Sequence, residues 1–319
     1  MVIRFVFAVM VAMVIAGACA ASADPSTPVL PPPQASDPPD AAPAVVTTPT
    51  PSPEAPVVEL PPAAVSAAPA DALPAVVVLP DPLNAEVLAI ASGFAGQVGI
   101  AVIDLETAAV YEFQADRRVP LASVAKIPLM LAVLRDAPSA VEQVLVTRMI
   151  TLSDNLAADE LWVAIGGRES VGRVWAAVGL WPDGVALGDH WGAVEANARE
   201  VVQLIATAIA GMVFPREVQR AVRQELEHVV AEQAWGISAG VPESAVVGLK
   251  NGWLEYGDGW LIHSAGYVRD RDGVPRYAIA ILTSDQPSLR DAVDTIESIS
   301  AAVHAALGLP PVLATPTGG

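Results

Sequence analysis

The run Leu121-Ala122-Ser123-Val124-Ala125-Lys126-Ile127-Pro128-Leu129-Met130-Leu131 sets a serine and a lysine three residues apart at the mouth of an apolar helical segment. Positions i and i+3 share a helix face, so the Ser123 hydroxyl and the Lys126 amine can come within hydrogen-bond reach of each other. A nucleophile beside a possible base is a unit of covalent catalysis. The helix start adds unpaired N–H groups and a positive dipole end, which favour charge developing on an oxygen bonded to the serine. An S-x-x-K spacing is short enough to arise by chance, so its meaning depends on the rest of the chain.

Of the 17 basic residues, 15 are arginine and only Lys126 and Lys250 are lysine. Arginine stays protonated in proteins, whereas a lysine can be tuned to give up its proton. Lys250 opens Lys250-Asn251-Gly252-Trp253, and Ser153-Asp154-Asn155 lies between the two lysines. In this order the three elements resemble the S-x-x-K, S-D-N and K-T-G set of class A β-lactamases and penicillin-binding proteins. The resemblance implies acyl transfer through a covalent serine intermediate. Ser123 would attack a carbonyl and Lys126 would take its proton. Lys126 would be partly deprotonated by burial and by the nearby charge of Lys250. Ser153 would relay a proton to the leaving nitrogen, and Asn155 would hold the substrate amide and Lys126. Lys250, on an edge strand, would attract a substrate carboxylate and stabilise Ser153. The backbone N–H groups of Ser123 and Trp253 would hold the oxyanion, with Gly252 letting the strand approach the ligand.

The chain departs from that pattern in three places. Ser123 and Ser153 are only 30 residues apart, about half the usual separation, so one wall of the cleft is shortened. Asn251 replaces the threonine that offers a hydroxyl to the substrate carboxylate; its amide can still donate. The E-x-x-L-N element, whose glutamate activates the deacylating water, is missing. Between Gly179 and Ala198 the acids are Asp183, Asp189 and Glu195, and none is followed by Leu-Asn at the needed spacing. Deacylation of a β-lactam should therefore be slow unless Glu195, or Lys126 in a second role, takes over.

Residues 1–23 read as a secretory signal, with Arg4 at the positive end, an apolar run from Phe5 to Ile15, and Ala21-Ser22-Ala23 before Asp24. Processing at Cys19 as a lipoprotein is the lesser alternative, because Ala16 stands where a larger aliphatic residue is usual. Residues 24–82 hold 18 of the 29 prolines and no lysine or arginine, which reads as a Pro/Ala-rich disordered tether. Loss of Arg4 with the signal moves the net charge from −18 to −19, which argues against nucleic acid or an anionic membrane as partner.

The folded domain should span 83–309, with a loose tail at 310–319. Helical periodicity runs over Leu83 to Phe94, Ala140 to Thr151, Ala157 to Ile165, Ser170 to Val178, Ala198 to Ala210, Pro215 to Glu232 and Ser288 to Leu307. Strand patterns occupy Val98 to Asp104, Val110 to Phe113, Trp260 to Val268 and Tyr277 to Leu282, with Asp272-Gly273 turning the last pair. Strands at both ends with helices between them predict an α+β fold: an antiparallel sheet flanked by terminal helices, with an inserted all-α lobe. This is the fold that the resemblance also implies.

His190, His228, His263 and His304 are scattered, with no H-E-x-x-H, so no metal site is expected; no phosphate loop or dinucleotide fingerprint points to a cofactor. His190, beside Trp191, is expected at the surface or half-buried, with a place lining the cleft as the lesser alternative, and His263 on a sheet face. Trp162, Trp175, Trp181, Trp235 and Trp260 read as core. The expectation is a secreted, monomeric serine hydrolase acting on a small-molecule β-lactam or on a peptidoglycan stem peptide, with association to the cell wall. A D-alanyl-D-alanine peptidase shares the first step, and a non-catalytic wall-binding module on the same fold is the competing class.

Overall fold

The computed structural model describes residues 83–182 and 184–307. The signal, the tether and the tail expected from the sequence lie outside the described residues. Five antiparallel strands form the main sheet, in the order β2–β1–β7–β6–β5. These are β1 (Gln97–Asp104), β2 (Val110–Phe113), β5 (Ala245–Tyr256), β6 (Gly259–Asp270) and β7 (Pro275–Gln286). A two-residue pair, β3 (Val119–Pro120) and β4 (Glu195–Ala196), stands apart.

Strand alternation gives the sheet two unlike faces. Along β1 and β7, Ile100, Val102, Ile279 and Ile281 turn to one side, where α1 (Ala85–Ser92) and α8 (Leu289–Leu307) complete a core with Val87, Ile296, Ile299 and Val303. Ala101, Ala278, Ala280 and Leu282 turn to the other side and join the core of the helical lobe. There α6 (Ala198–Ala210) packs on β7 and β1. Residues paired across strands share a face, so Ala101, Ala280, Ala265 and Lys250 form one row across β1, β7, β6 and β5. The row of alanines ends at the edge strand on a lysine.

The lobe is built around α2 (Lys126–Arg135), in which every residue from Lys126 to Val133 is buried. α3 (Ala140–Thr151), α4 (Asn155–Ala164), α5 (Arg168–Ala177) and α7 (Arg216–Glu227) surround it. Helix starts are fixed locally by Ser139 with Glu142 on α3 and by Asn197 with Glu200 on α6, both reciprocal caps. The sequence periodicity carries α7 to Glu232, but the helix ends at Glu227. There the Glu227 carboxylate takes the Tyr267 hydroxyl and the Arg269 guanidinium, while Val230 donates its N–H to the Thr151 carbonyl. These tertiary partners outweigh the helical period. Trp162 and Trp175 are buried in the lobe, whereas Trp181, Trp235 and Trp260 are half-buried. Among the described residues no helix is long and apolar enough to cross a membrane.

Candidate active site

Ser123 sits on a 3₁₀ turn, Ala122–Ala125, immediately before α2. Ala122 enters that turn at φ +47°, a left-handed conformation that an L-residue adopts only when its surroundings hold it there. Several contacts hold it. Val119 and Pro120 pair with Ala196 and Glu195, and Leu121 donates its N–H to the Val194 carbonyl at 3.0 Å. Buried His263 donates from Nε2 to the Pro120 carbonyl at 2.9 Å while its Nδ1 accepts the Thr283 N–H at 3.1 Å, which fixes the neutral tautomer. Burial lowers the His263 pKa to about 4. Gly252 closes the turn from the strand side: a Cβ there would stand 2.9 Å from the Ser123 nitrogen and 2.9 Å from the Leu121 carbonyl oxygen. Only glycine lets β5 come so near the nucleophile.

Among the described residues the Lys126 amine makes no hydrogen bond to Ser123. It donates to the Ser153 carbonyl at 2.7 Å, the Asn155 Oδ1 at 2.7 Å and the Ser153 hydroxyl oxygen at 3.2 Å. Among the described residues the half-buried Ser123 hydroxyl makes no hydrogen bond. Ser153 presents both of its oxygens because it stands at φ +57°, just ahead of α4. Asp154 next to it caps that helix, accepting the Leu156 and Ala157 N–H groups, and pairs with Arg148. Lys250 reaches the same hydroxyl from β5, at 3.0 Å, and gives a second bond to the Asn251 carbonyl at 2.9 Å. One serine oxygen thus accepts from both of the chain's lysines, which leaves its own O–H free to donate.

Both amines are held below the ordinary lysine range. Desolvation brings Lys126 to about 8 against the opposing charges of Asp154 and Asp159. Lys250 is also held well below that range, first by complete burial and then by the charge of Lys126. The two amines disfavour each other's charge, and burial, the larger cause for each, brings Lys126 toward neutrality.

Beside Lys126 stands a wall of which the sequence marked only His190, next to Trp191, as a lesser cleft-lining alternative. The Trp191 ring centroid lies 4.8 Å from the Lys126 Nζ. Asp159 Oδ1 accepts the Trp191 indole N–H at 2.7 Å and the His190 Nε2–H at 2.9 Å. His190 Nδ1 accepts the Gly192 N–H, so both ring nitrogens are engaged and His190 serves to fix the wall. Asp159 is kept below the usual carboxylate range, first by the Trp191 bond. Its position 32 residues from Trp191 carries no local pattern that could have revealed the pair.

The three loop acids fare differently. Asp183 lies outside the described residues; Asp189 is exposed and offers its backbone carbonyl to the Trp162 indole. Glu195 is half-buried on β4, and its backbone pairs with Ala186 and accepts from Arg118.

Asn251, expected to offer its amide to a ligand, has both amide protons engaged. They go to the Gln233 and Trp235 carbonyls at 2.8 and 3.0 Å, on the face of β5 away from the Ser123 turn. Trp253, on that same face, is 38 % exposed with its ring centroid 6.0 Å from that of Trp235. The structure thus brings Lys126, Ser153, Asn155 and Lys250 together around one oxygen and sets Gly252 against Ser123, while Asn251 binds a loop. Among the described residues no group of three or more His, Cys, Asp or Glu could hold a metal ion.

A five-stranded antiparallel sheet with terminal helices on one face and an inserted helical lobe on the other is the class A β-lactamase and transpeptidase-like fold. The chain belongs to the beta-lactamase enzyme family, whose model matches residues 82–143 and 139–307. It is similar in structure to a class A beta-lactamase from Bacteroides cellulosilyticus at 19 % identity, with a TM-score of 0.63 over 72 % of this chain and 98 % of the other. The beta-lactamase from Streptomyces albus G matches at 19 % identity, with a TM-score of 0.60 over 70 % and 98 %. A protein named PBP-A matches at 18 % identity, with a TM-score of 0.59 over 69 % and 93 %. No curated protein sequence matches the chain.

Proposed function

We propose that this protein is a serine hydrolase that is acylated on Ser123 by a β-lactam or a related amide or ester, and that it deacylates slowly. The observation that carries the reading is the Ser153 oxygen shared by Lys126 and Lys250 at the foot of the Ser123 turn. With a pKa of about 8, roughly a tenth of Lys126 is neutral at pH 7. Substrate entry frees that amine to take the Ser123 proton. The Ser123 oxygen then bonds to the carbonyl carbon, and the oxyanion sits on the Ser123 and Trp253 N–H groups. The free O–H of Ser153 protonates the departing nitrogen, and Lys126 resupplies Ser153 with the proton it took.

Slow deacylation is proposed from the missing E-x-x-L-N glutamate and from the wall, where the Trp191 indole stands next to Lys126 and Asp159 Oδ1 is taken up by the Trp191 and His190 N–H groups. Secretion, with residues 24–82 as a tether toward the cell wall, is proposed from the sequence alone.

The test is intact mass after exposure to a penicillin, with Ser123→Ala alongside. A mass gain confined to the Ser123 protein and lasting minutes or longer is expected. A gain that disappears within seconds while drug is consumed would defeat the slow step, and a gain that persists in Ser123→Ala would defeat the nucleophile.

A further inference from the structure

The strand and the turn that carry the two oxyanion donors are joined by one buried imidazole. Trp253 follows Gly252 on β5, and the residue paired with Gly252 across the sheet is His263 on β6. Ser123 follows Pro120 by three residues, and the Pro120 carbonyl accepts the His263 Nε2–H at 2.9 Å. Strand and turn touch beside this bond, since a Cβ on Gly252 would stand 2.9 Å from the Ser123 nitrogen. His263 thus holds the strand with its backbone and the turn with its side chain.

The imidazole is itself clamped. It is 0 % exposed, its Nδ1 accepts the Thr283 N–H on β7 at 3.1 Å, and the Thr283 hydroxyl donates to the Ile262 carbonyl at 2.7 Å. From the lobe side the same segment is held by β4 and by the Val194 carbonyl, which accepts the Leu121 N–H. In the row Gly99, Leu282, His263 and Gly252 across the sheet, the histidine is the one polar side chain. An aliphatic residue would fill that position without burying a polar group. What the imidazole adds is a donor at a set height above the sheet.

We propose that His263 is a positioning residue for acylation: its bond to the Pro120 carbonyl sets how far the Ser123 N–H stands from the Trp253 N–H. The inference rests on the acylation of Ser123 proposed above. In that step, with an ester as donor, the Ser123 oxygen bonds to the carbonyl carbon and the carbonyl pair moves onto its oxygen, between the two N–H groups. As the pair returns, the carbon–oxygen bond to the leaving group breaks, and the leaving group departs with the proton taken from Ser123.

The experiment uses the full chain with the phenyl ester of N-acetylglycine and its thiono analogue, in which sulfur replaces the carbonyl oxygen. Sulfur is larger and a weaker acceptor, so two aligned donors favour the oxygen ester. Phenol release is read for both, and the ratio of rates is compared with that for hydroxide in buffer, so a general loss of activity cancels. In the wild type the oxygen ester should be favoured at least tenfold beyond the hydroxide ratio. His263→Gln puts an amide N–H near the Nε2 position and should keep that preference. His263→Asn keeps an acceptor for Thr283 but falls short of Pro120, and its preference should drop to within about threefold of hydroxide. Protection of the Leu121 and Val124 amides from exchange, relative to Leu131 in α2, should fall at least tenfold in His263→Asn and persist in His263→Gln.

A wild-type preference no greater than that of hydroxide, one that survives in His263→Asn, or one lost equally in His263→Gln overturns the positioning role while leaving acylation intact. If neither variant folds, the wild type still decides: a His263 ring N–H that exchanges at once with solvent in its ¹⁵N spectrum overturns the proposal. No acylation of the wild type by the esters or by a penicillin removes the hydrolase reading. Protection lost only in His263→Asn then upholds the hold on the turn, and protection unchanged in both variants removes that as well.

Discussion

Lys126 carries most of the chemistry and most of the pH dependence. Its amine, depressed by burial to about 8, must be neutral to accept a proton, so the acylation rate should rise with pH and level off above about 8. Stopped-flow phenol release between pH 6 and 9.5 checks this, and a flat profile would remove Lys126 as base. Lys126→Arg keeps the charge and loses the proton acceptor, so acylation should fall by about two to four orders of magnitude. The sequence made this residue legible, because a chain with two lysines placed both inside recognisable motifs. The resemblance implied the Asn155 bond to Lys126; the bonds of that amine to the Ser153 carbonyl and hydroxyl were not legible, since Ser153 stands 27 positions away in sequence. Asp159 was illegible for a different reason: one carboxylate among 35 acidic residues gains its meaning only when Trp191 is folded against it.

Among the elements, the short turn carrying His190, Trp191 and Gly192 decides how long an acyl group survives. Trp191→Ala would leave a void beside Lys126 wide enough for water, and the adduct lifetime by intact mass should then shorten several-fold. An unchanged lifetime would mean that the indole is not what excludes the hydrolytic water. The helices and hairpins were legible from periodicity and caps, as α3 and α6 show. β5 was only half legible: Lys250-Asn251-Gly252 breaks the apolar alternation, and Trp253 to Tyr256 are exposed, so nothing in the pattern marks a twelve-residue strand. The end of α7 was lost because Glu227 stops for Tyr267 and Arg269, which are about 40 residues away in sequence.

For the whole molecule, two buried neutral histidines tie stability to pH. His263 fixes the strand before the nucleophile and His304 fixes the 233–237 loop, and desolvation lowers each to about 4. An unfolded histidine near 6.5 binds a proton that the folded one refuses. The unfolded state therefore gains protons as pH falls from about 6.5 to about 4, and stability falls with it. Above about 6.5 the full stability is present. Each shift is worth about 3 kcal/mol at its limit, so urea unfolding should show stability dropping by several kcal/mol between pH 7 and 4. A smaller drop in His304→Gln would assign its share. The α+β architecture was legible because element order alone restricts it. The meeting of sheet edge and helical lobe at one serine oxygen was not, since it joins residues 27 and 97 positions apart.

The alanine row Ala101, Ala280, Ala265 behaves as a shim of fixed thickness between sheet and lobe, ending at Lys250. How far the lobe stands off the sheet sets how far Ser153 stands from that amine. A branched side chain slipped into the stack, as in Ala280→Val, would wedge the lobe outward at a strain of about 1–3 kcal/mol. It should detune acylation without altering one atom of the catalytic cluster, so the working tolerance of this machine is ground into its blandest residues.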